Sequence, residues 1–153
     1  GELTEVPDYG FSRLFSVGKG GGADPALITT PDMNKITKVG YLGCGGLYIR
    51  QENLTTPSDM ASLTTIGGSG VGGDIGGMYA YCTSLTKAAN MPALETIGDI
   101  GISGLYSMCT FDMSDDGTTL NFAFPTPPVT EGETTLATAY DVAGRMDNTN
   151  GFN

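Results

Sequence analysis

Three stretches of this chain repeat one another at fixed internal spacings, and that repetition constrains the fold more tightly than anything else in the sequence. The first runs Leu27-Ile-Thr-Thr-Pro-Asp-Met33-Asn-Lys-Ile36-Thr-Lys-Val39-Gly40 and reaches Gly46-Leu47-Tyr48. The second runs Leu54-Thr-Thr-Pro-Ser-Asp-Met60-Ala-Ser-Leu63-Thr-Thr-Ile66-Gly67 and reaches Gly77-Met78-Tyr79. The third runs Leu85-Thr-Lys-Ala-Ala-Asn-Met91-Pro-Ala-Leu94-Glu-Thr-Ile97-Gly98 and closes with Gly104-Leu105-Tyr106. Leu to Met spans six residues in every copy, Met to the next aliphatic three, and that residue to Ile or Val another three. Met33 and Met60 lie 27 residues apart and Met60 and Met91 lie 31 apart, the four extra residues falling between Gly67 and Gly77. An insertion between shared apolar positions is how a loop on one edge of a coil reads in sequence.

A unit this short cannot bury its own apolar face, whereas stacked copies line up Leu, Met, Ile and Tyr into continuous ladders. Thr29, Thr30, Thr55, Thr56, Thr64, Thr65, Thr83 and Thr86 sit beside the repeated aliphatics, and β-branched residues suit a pleated, half-buried surface. Gly40, Gly67 and Gly98 are expected to supply the positive φ of a tight corner. The prediction is a mainly β chain, a short β-solenoid over residues 27–111, with irregular terminal arms at 1–26 and 112–153.

The strings Met78-Tyr-Ala-Tyr-Cys-Thr-Ser-Leu85-Thr and Met91-Pro-Ala-Leu94-Glu-Thr-Ile97-Gly resemble the leucine-rich repeats of BspA-like surface proteins. There an aromatic, a Cys-Thr-Ser-Leu-Thr turn, a proline-containing stretch and a Leu-x-x-Ile-Gly segment recur at a comparable period. The resemblance covers residues 27–109. The third copy matches it well, the second less so, and the first lacks the Cys-Thr-Ser stretch. It implies a leucine-rich-repeat-like solenoid displayed outside the cell or on a phage tail or fibre, and it brings no catalytic residues.

At the N-terminus, Phe11, Leu14 and Phe15 are spaced as one turn of helix, a cap on the first copy or an arm on a neighbouring subunit. The glycine tract Gly18-Lys-Gly-Gly-Gly22 then reads as a linker. Beyond the repeat, Leu120-Asn-Phe122-Ala-Phe124 alternates as a strand does, and Pro125-Thr-Pro-Pro128 breaks regular structure. Leu136, Ala139, Tyr140 and Ala143 share one face of a short C-terminal helix expected over residues 134–143, with Gly144 as its cap.

Composition removes several functions. Seven Lys and Arg against 17 Asp and Glu give a formal charge of −10, the opposite of a phosphate-binding footprint, so nucleic acid is not an expected partner. Histidine is absent, which rules out Ser-His-Asp, Cys-His and His-metal sites. Any enzyme would depend on carboxylates, lysine, tyrosine or a cysteine without its usual base, and the chain is expected to be no enzyme. Cys44, Cys82 and Cys109 have no zinc spacing. Cys82 and Cys109 each follow a repeat tyrosine by three residues, where the first copy has Gln51, so they read as packing residues, although one bridge among the three stays open. No stretch reaches the length of a membrane span.

Several motifs are weighed against plainer readings. Gly68-Ser-Gly70-Val-Gly-Gly73 fits G-x-G-x-x-G, but a dinucleotide site needs a helix from its last glycine, and Asp74-Ile-Gly-Gly-Met does not make one. The same loop approaches a calcium-binding nonapeptide, with Asp74 two residues late. Asp112, Asp115 and Asp116 are the best hard-cation cluster, a Ca²⁺ candidate around a glycine turn, although a solvated acidic turn accounts for them more simply. Asp147-Asn-Thr-Asn-Gly151 lacks an EF-hand's third-position ligand, and Asn53-Leu-Thr55 is a glycosylation pattern that the repeat itself explains. No cofactor is expected. The leading expectation is a surface-displayed binding or adhesion module whose partner is a protein or glycan, with Tyr41, Tyr48, Tyr79, Tyr81 and Tyr106 as its candidate binding face. The alternative is a virion structural protein or filament subunit that binds copies of itself through its terminal arms.

Overall fold

A computed structural model describes residues 3–17, 27–73, 76–111, 129–136 and 145–146. The chain is mainly β, with one open, mixed sheet of six short strands: β1 (Glu5–Val6), β2 (Lys38–Val39), β3 (Thr65–Ile66), β4 (Thr96–Ile97), β5 (Val129–Glu131) and β6 (Thr134–Leu136). They lie in sequence order, parallel from β1 to β5, with β6 returning antiparallel on β5. Helical geometry among the described residues is confined to Arg145 and Met146.

Register follows from the repeat. Val6, Val39, Ile66 and Ile97 are aligned neighbours, all buried, and each is preceded by a residue open to solvent at least in part, the period-two pattern of a strand with one apolar face. Behind this column lie Met33, Met60 and Met91, then Ile36, Leu63 and Leu94, all in one core cluster. The threonines tie one crossing of the sheet, or pass, to the next. Thr37 Oγ1 donates to the carbonyl of Thr4, Thr64 Oγ1 to Thr37 and Thr86 Oγ1 to Thr55, at 3.0–3.2 Å.

After β2 and β4 the chain turns every fourth residue. In the second pass the N–H groups of Gly43, Leu47 and Gln51 donate back to the carbonyls of Gly40, Cys44 and Tyr48; in the fourth, Gly101, Leu105 and Cys109 donate to Gly98, Ile102 and Tyr106. The third residue of each turn has positive φ, Leu42 (53°), Gly46 (65°) and Arg50 (64°) in the second pass and Ile100 (48°), Gly104 (68°) and Met108 (65°) in the fourth, as a type II turn requires. Those left-handed residues, and those midway between them, donate to the following pass instead: Leu42, Cys44, Gly46, Tyr48 and Arg50 reach the carbonyls of Gly68, Gly70, Gly76, Met78 and Ala80 at 2.7–3.0 Å. Backbone donors thus alternate between closing a turn and joining two passes, which satisfies them without long strands.

The glycines after the strands serve a purpose other than the expected one. Gly40, Gly67 and Gly98 do not have positive φ; a Cβ on Gly67 would lie 2.7 Å from Gly40 C and Tyr41 N, and one on Gly98 would lie 2.7 Å from Gly67 C. They are small because one pass lies directly on the backbone of the one before. A second column does the same within a pass, since a Cβ on Gly43, Gly70 or Gly101 would press on the β-branched side chain of Val39, Ile66 or Ile97 at 2.9, 2.6 and 2.5 Å.

The ends depart from the sequence reading. Instead of a helical turn, residues 8–15 form turns whose Tyr9, Phe11, Arg13 and Phe15 N–H groups bond to Tyr41, Gly43, Gly45 and Leu47, so 3–17 is a further pass. The start of the expected C-terminal helix, Thr134–Leu136, is β6 instead, because it pairs with Val129–Glu131 across a turn at Gly132 (φ 59°); the rest of that helix, the 120–124 strand, the proline-rich segment and the 18–22 glycine tract lie outside the described residues.

Candidate binding face

The five candidate tyrosines divide into two groups. Tyr48, Tyr79 and Tyr106 are buried and stack on one another and on Phe15, with ring centroids 5.9, 5.4 and 5.6 Å apart and planes within 18° of parallel. Phe111 closes the column edge-on against Tyr106 at 5.3 Å. These three rings belong to the core and are removed from the candidate face, because the residue after each repeat Leu or Met points inward at the turn. Burial pushes all three phenols up from their ordinary pKa of 10.0. Tyr106 Oη accepts the N–H of Ala89 at 2.9 Å, while Tyr79 Oη, equally buried, has no hydrogen-bond partner among the described residues.

Tyr41 and Tyr81 are the exposed pair, at 45% and 38%. Tyr41 meets Tyr9 edge-to-face at 5.6 Å, and its N–H donates to Asp8 Oδ1 at 2.8 Å. Tyr81 lies under the guanidinium of Arg50, whose Cζ is 4.2 Å from the ring centroid, a cation–π contact. Beside them is a depression of about 350 Å³ lined by Ile49, Arg50, Ala80, Tyr81, Ser103, Ser107 and Gly73, Gly76, Gly77 and Gly104. The insertion in the third pass shapes it: thirteen residues separate Ile66 from Tyr79 where nine separate Val39 from Tyr48, and Met78 N donates to Val71 O at 2.7 Å to close the extra loop. Gly73 and Gly76 have φ of 82° and 102°.

Sequence reasoning did not single out Arg50, Ser103 or Ser107, which match no motif. The repeat itself holds the missing signal: Arg50, Tyr81 and Met108 each follow a ladder tyrosine by two residues, and all three are left-handed, at 64°, 61° and 65°.

The cysteines are free and buried. Burial pushes the Cys44 and Cys109 thiols from 9.0 up to about 12 and the Cys82 thiol higher still, the reverse of a reactive thiolate. Cys82 Sγ donates to Tyr48 O and Cys109 Sγ to Tyr79 O, both at 3.1 Å. In the same column Gln51 Nε2 donates to Phe15 O at 2.7 Å, so glutamine and cysteine serve the same carbonyl in successive passes. No helix starts at Gly73, since residues 78–81 are turns, and the G-x-G-x-x-G string is a loop. Asp112, Asp115, Asp116, Asp74 and the 147–151 segment lie outside the described residues, among which no group of three or more His, Cys, Asp or Glu is placed to hold a metal.

A second hollow, of about 290 Å³, opens at the β1 end between Leu3, Leu14, Phe15, Pro31, Met33 and Ile36, with Leu3 and Leu14 more than half exposed. At the other end Glu131 occupies the column of Val6, Val39, Ile66 and Ile97, 6% exposed and 3.8 Å from Arg145 Nη1. Burial raises its carboxyl pKa against the opposing pull of Arg145. Among the described residues no helix is long and apolar enough to cross a membrane. No family model, curated protein or solved structure matches this chain.

Proposed function

We propose that the chain is a non-enzymatic binding or adhesion module displayed at a cell surface, built as a short leucine-rich-repeat-like β-solenoid similar to those of BspA-like proteins. The observation that carries this reading is the turn column Arg50, Tyr81 and Met108. A large side chain in the left-handed region costs about 1 kcal/mol relative to glycine, yet three successive passes place one there, Tyr81 and Met108 well exposed. None of the three belongs to the core cluster, and exposed arginine and aromatic side chains are the kinds that anchor ligands. The depression beside them is lined by four glycines, Ile49, Ala80, Tyr81, two serines and one arginine, a set suited to holding a ligand rather than transforming it. Screening the purified chain against an array of glycans and surface proteins tests the reading. Binding lost in a folded Tyr81→Ala variant is expected; an array hit untouched by changes at Arg50, Tyr81 and Met108 contradicts it.

A second reading, subunit of a virion or filament, is favoured by the β1 end. Besides the apolar hollow there, no donor among the described residues reaches the carbonyls of Asp8, Gly10, Ser12 or Leu14, whose counterparts in later passes all accept from the pass before. A neighbouring subunit offering N–H groups and apolar side chains would fit that edge. Light scattering on the purified chain separates the two: a monomer at high concentration counts against assembly.

A further inference from the structure

We infer that the depression beside the third-pass insertion is a subsite for the carboxylate of an acidic saccharide, a uronic or similar sugar acid; this rests on the binding-module reading above and narrows it to one ligand class.

Three features converge. The guanidinium carbon of Arg50 sits over the Tyr81 ring, 4.2 Å from its centroid, and among the described residues no carboxylate pairs with the side chain. Its N–H groups, paired with no carboxylate there, are the kind that makes the fork-to-fork hydrogen bonds a carboxylate accepts. Across the hollow, Ser103 and Ser107 make no side-chain hydrogen bond within the described residues, and hydroxyls that both donate and accept match sugar hydroxyls. Between them the floor is glycine. A Cβ at Gly104 would meet nothing closer than Ser107 Cβ at 3.7 Å, and one at Gly76 would touch only Ile49, so the bare backbone leaves room for a flat ring to lie close. A volume of about 350 Å³ is at the small end for ligand sites and suits one sugar ring with its substituents.

Charge selects among anions. With 17 acidic against seven basic residues, a polyphosphate or nucleic acid meets net repulsion, whereas a single carboxylate needs only the one unpaired cation that the hollow supplies. The insertion accounts for the position: the third pass has four additional residues between its strand and its ladder tyrosine, and Gly73, Gly76 and Gly77 from that stretch line the hollow.

The test is an NMR titration of the ¹⁵N-labelled full chain with methyl β-glucuronide, methyl β-glucoside and acetate in parallel. The glucuronide is expected to shift the amides of Arg50, Tyr81, Ser103 and Ser107 and to bind at least about tenfold more tightly than either of the others, since a charge-assisted bidentate pair is lost in the one and the sugar contacts in the other. Arg50→Gln should abolish the preference for the glucuronide over the glucoside while the remaining spectrum stays that of the folded chain. Equal binding of glucoside and glucuronide overturns the carboxylate assignment and leaves the binding-module reading standing. Equal binding of acetate and glucuronide reduces the site to a small-anion trap and overturns the saccharide assignment. Absence of shifts with all three refutes the inference, and the array screen then decides the broader reading separately.

Discussion

Tyr79 and Tyr106 are neighbours in one aromatic column, with rings 5.6 Å apart and nearly parallel, both fully buried, yet replacing each by phenylalanine should change stability in opposite directions. Tyr79 Oη has no hydrogen-bond partner among the described residues. The folded chain therefore carries the desolvation cost of a buried hydroxyl, about 1–3 kcal/mol, with nothing to offset it. Phenylalanine keeps the ring and its stacking on Tyr48 and Tyr106 and leaves a gap of one oxygen atom. Allowing for that gap, Tyr79→Phe should raise stability by about 1 kcal/mol. Tyr106 Oη accepts the Ala89 N–H at 2.9 Å, and among the described residues that N–H has no second acceptor. Tyr106→Phe strands a buried backbone donor and should cost about 1–2 kcal/mol. The readout is the urea midpoint at constant m-value, with a melting shift of about 2–4 °C per kcal/mol for a chain of this size. If both variants move the same way, or Tyr79→Phe is the more damaging, the reasoning from unpaired hydroxyls is wrong.

Three further outcomes follow from the same packing. The folded chain keeps protons on Cys44, Cys82, Cys109, Tyr48, Tyr79 and Tyr106 that the unfolded chain releases near pH 9.0 for thiols and 10.0 for phenols. Their folded pKa values are raised, so full stability holds below pH 9.0 and declines above it, by about 1.4 kcal/mol per pH unit for each released proton. Tyrosinate absorbance should rise together with loss of the circular dichroism signal in one cooperative alkaline step, and a gradual rise in the folded chain would contradict this. Gly67→Ala forces a Cβ onto Gly40 C and Tyr41 N and should cost about 3 kcal/mol, against about 1 kcal/mol for Gly104→Ala, where only the φ of 68° resists. Equal costs by chemical denaturation would mean that backbone angle governs both sites. Glu131→Ile continues the column of Val6, Val39, Ile66 and Ile97 and should add about 1–3 kcal/mol at pH 7. Because the Glu131 carboxyl pKa is raised, the wild-type chain should recover part of that difference in acid, where the carboxyl is protonated and its desolvation cost falls; a gap that widens in acid would sink the argument.

The stacked register was legible because it depends on apolar offsets that copy themselves: Met33, Met60 and Met91, or Val39, Ile66 and Ile97, can only be columns. The first pass was hidden by a mimicry of periods. Phe11, Leu14 and Phe15 have helical spacing, but so do Cys44, Leu47 and Tyr48, and Ile102, Leu105 and Tyr106. A chain that turns every fourth residue buries positions i, i+3 and i+4 as a helix does, so the pattern alone cannot separate the two. The strand-end glycines were correctly located and wrongly explained, since close approach between passes has no local signature while positive φ does. Of the five candidate tyrosines, only Tyr41 and Tyr81 are exposed. Tyr48, Tyr79 and Tyr106 recur in every copy, and a position repeated that faithfully is one the core fills; Arg50, Ser103 and Ser107 become a group only when three passes are laid side by side.

The backbone scheme also determines where such a group can arise. Every turn needs one left-handed residue, and the inward positions at each turn are taken by the core columns headed by Cys44, Leu47 and Tyr48. The left-handed side chain therefore leans away from the core, one per turn, with its counterparts about 4.8 Å away in adjacent passes. Glycine relieves strain at Gly46, Gly73 and Gly104, and in the next column Arg50, Tyr81 and Met108 accept it. Substitution in that second column leaves the Met, Ile and Tyr ladders untouched, so the face can change its chemistry without changing its fold. It follows that exchanging Tyr81 for Met and Met108 for Tyr should leave the unfolding free energy from urea denaturation within about 0.5 kcal/mol of the original, since both side chains stay exposed at left-handed positions, while moving the aromatic platform away from Arg50. Saccharide binding lost at unchanged stability is the expected result. A large loss of stability would show that the column serves the core after all.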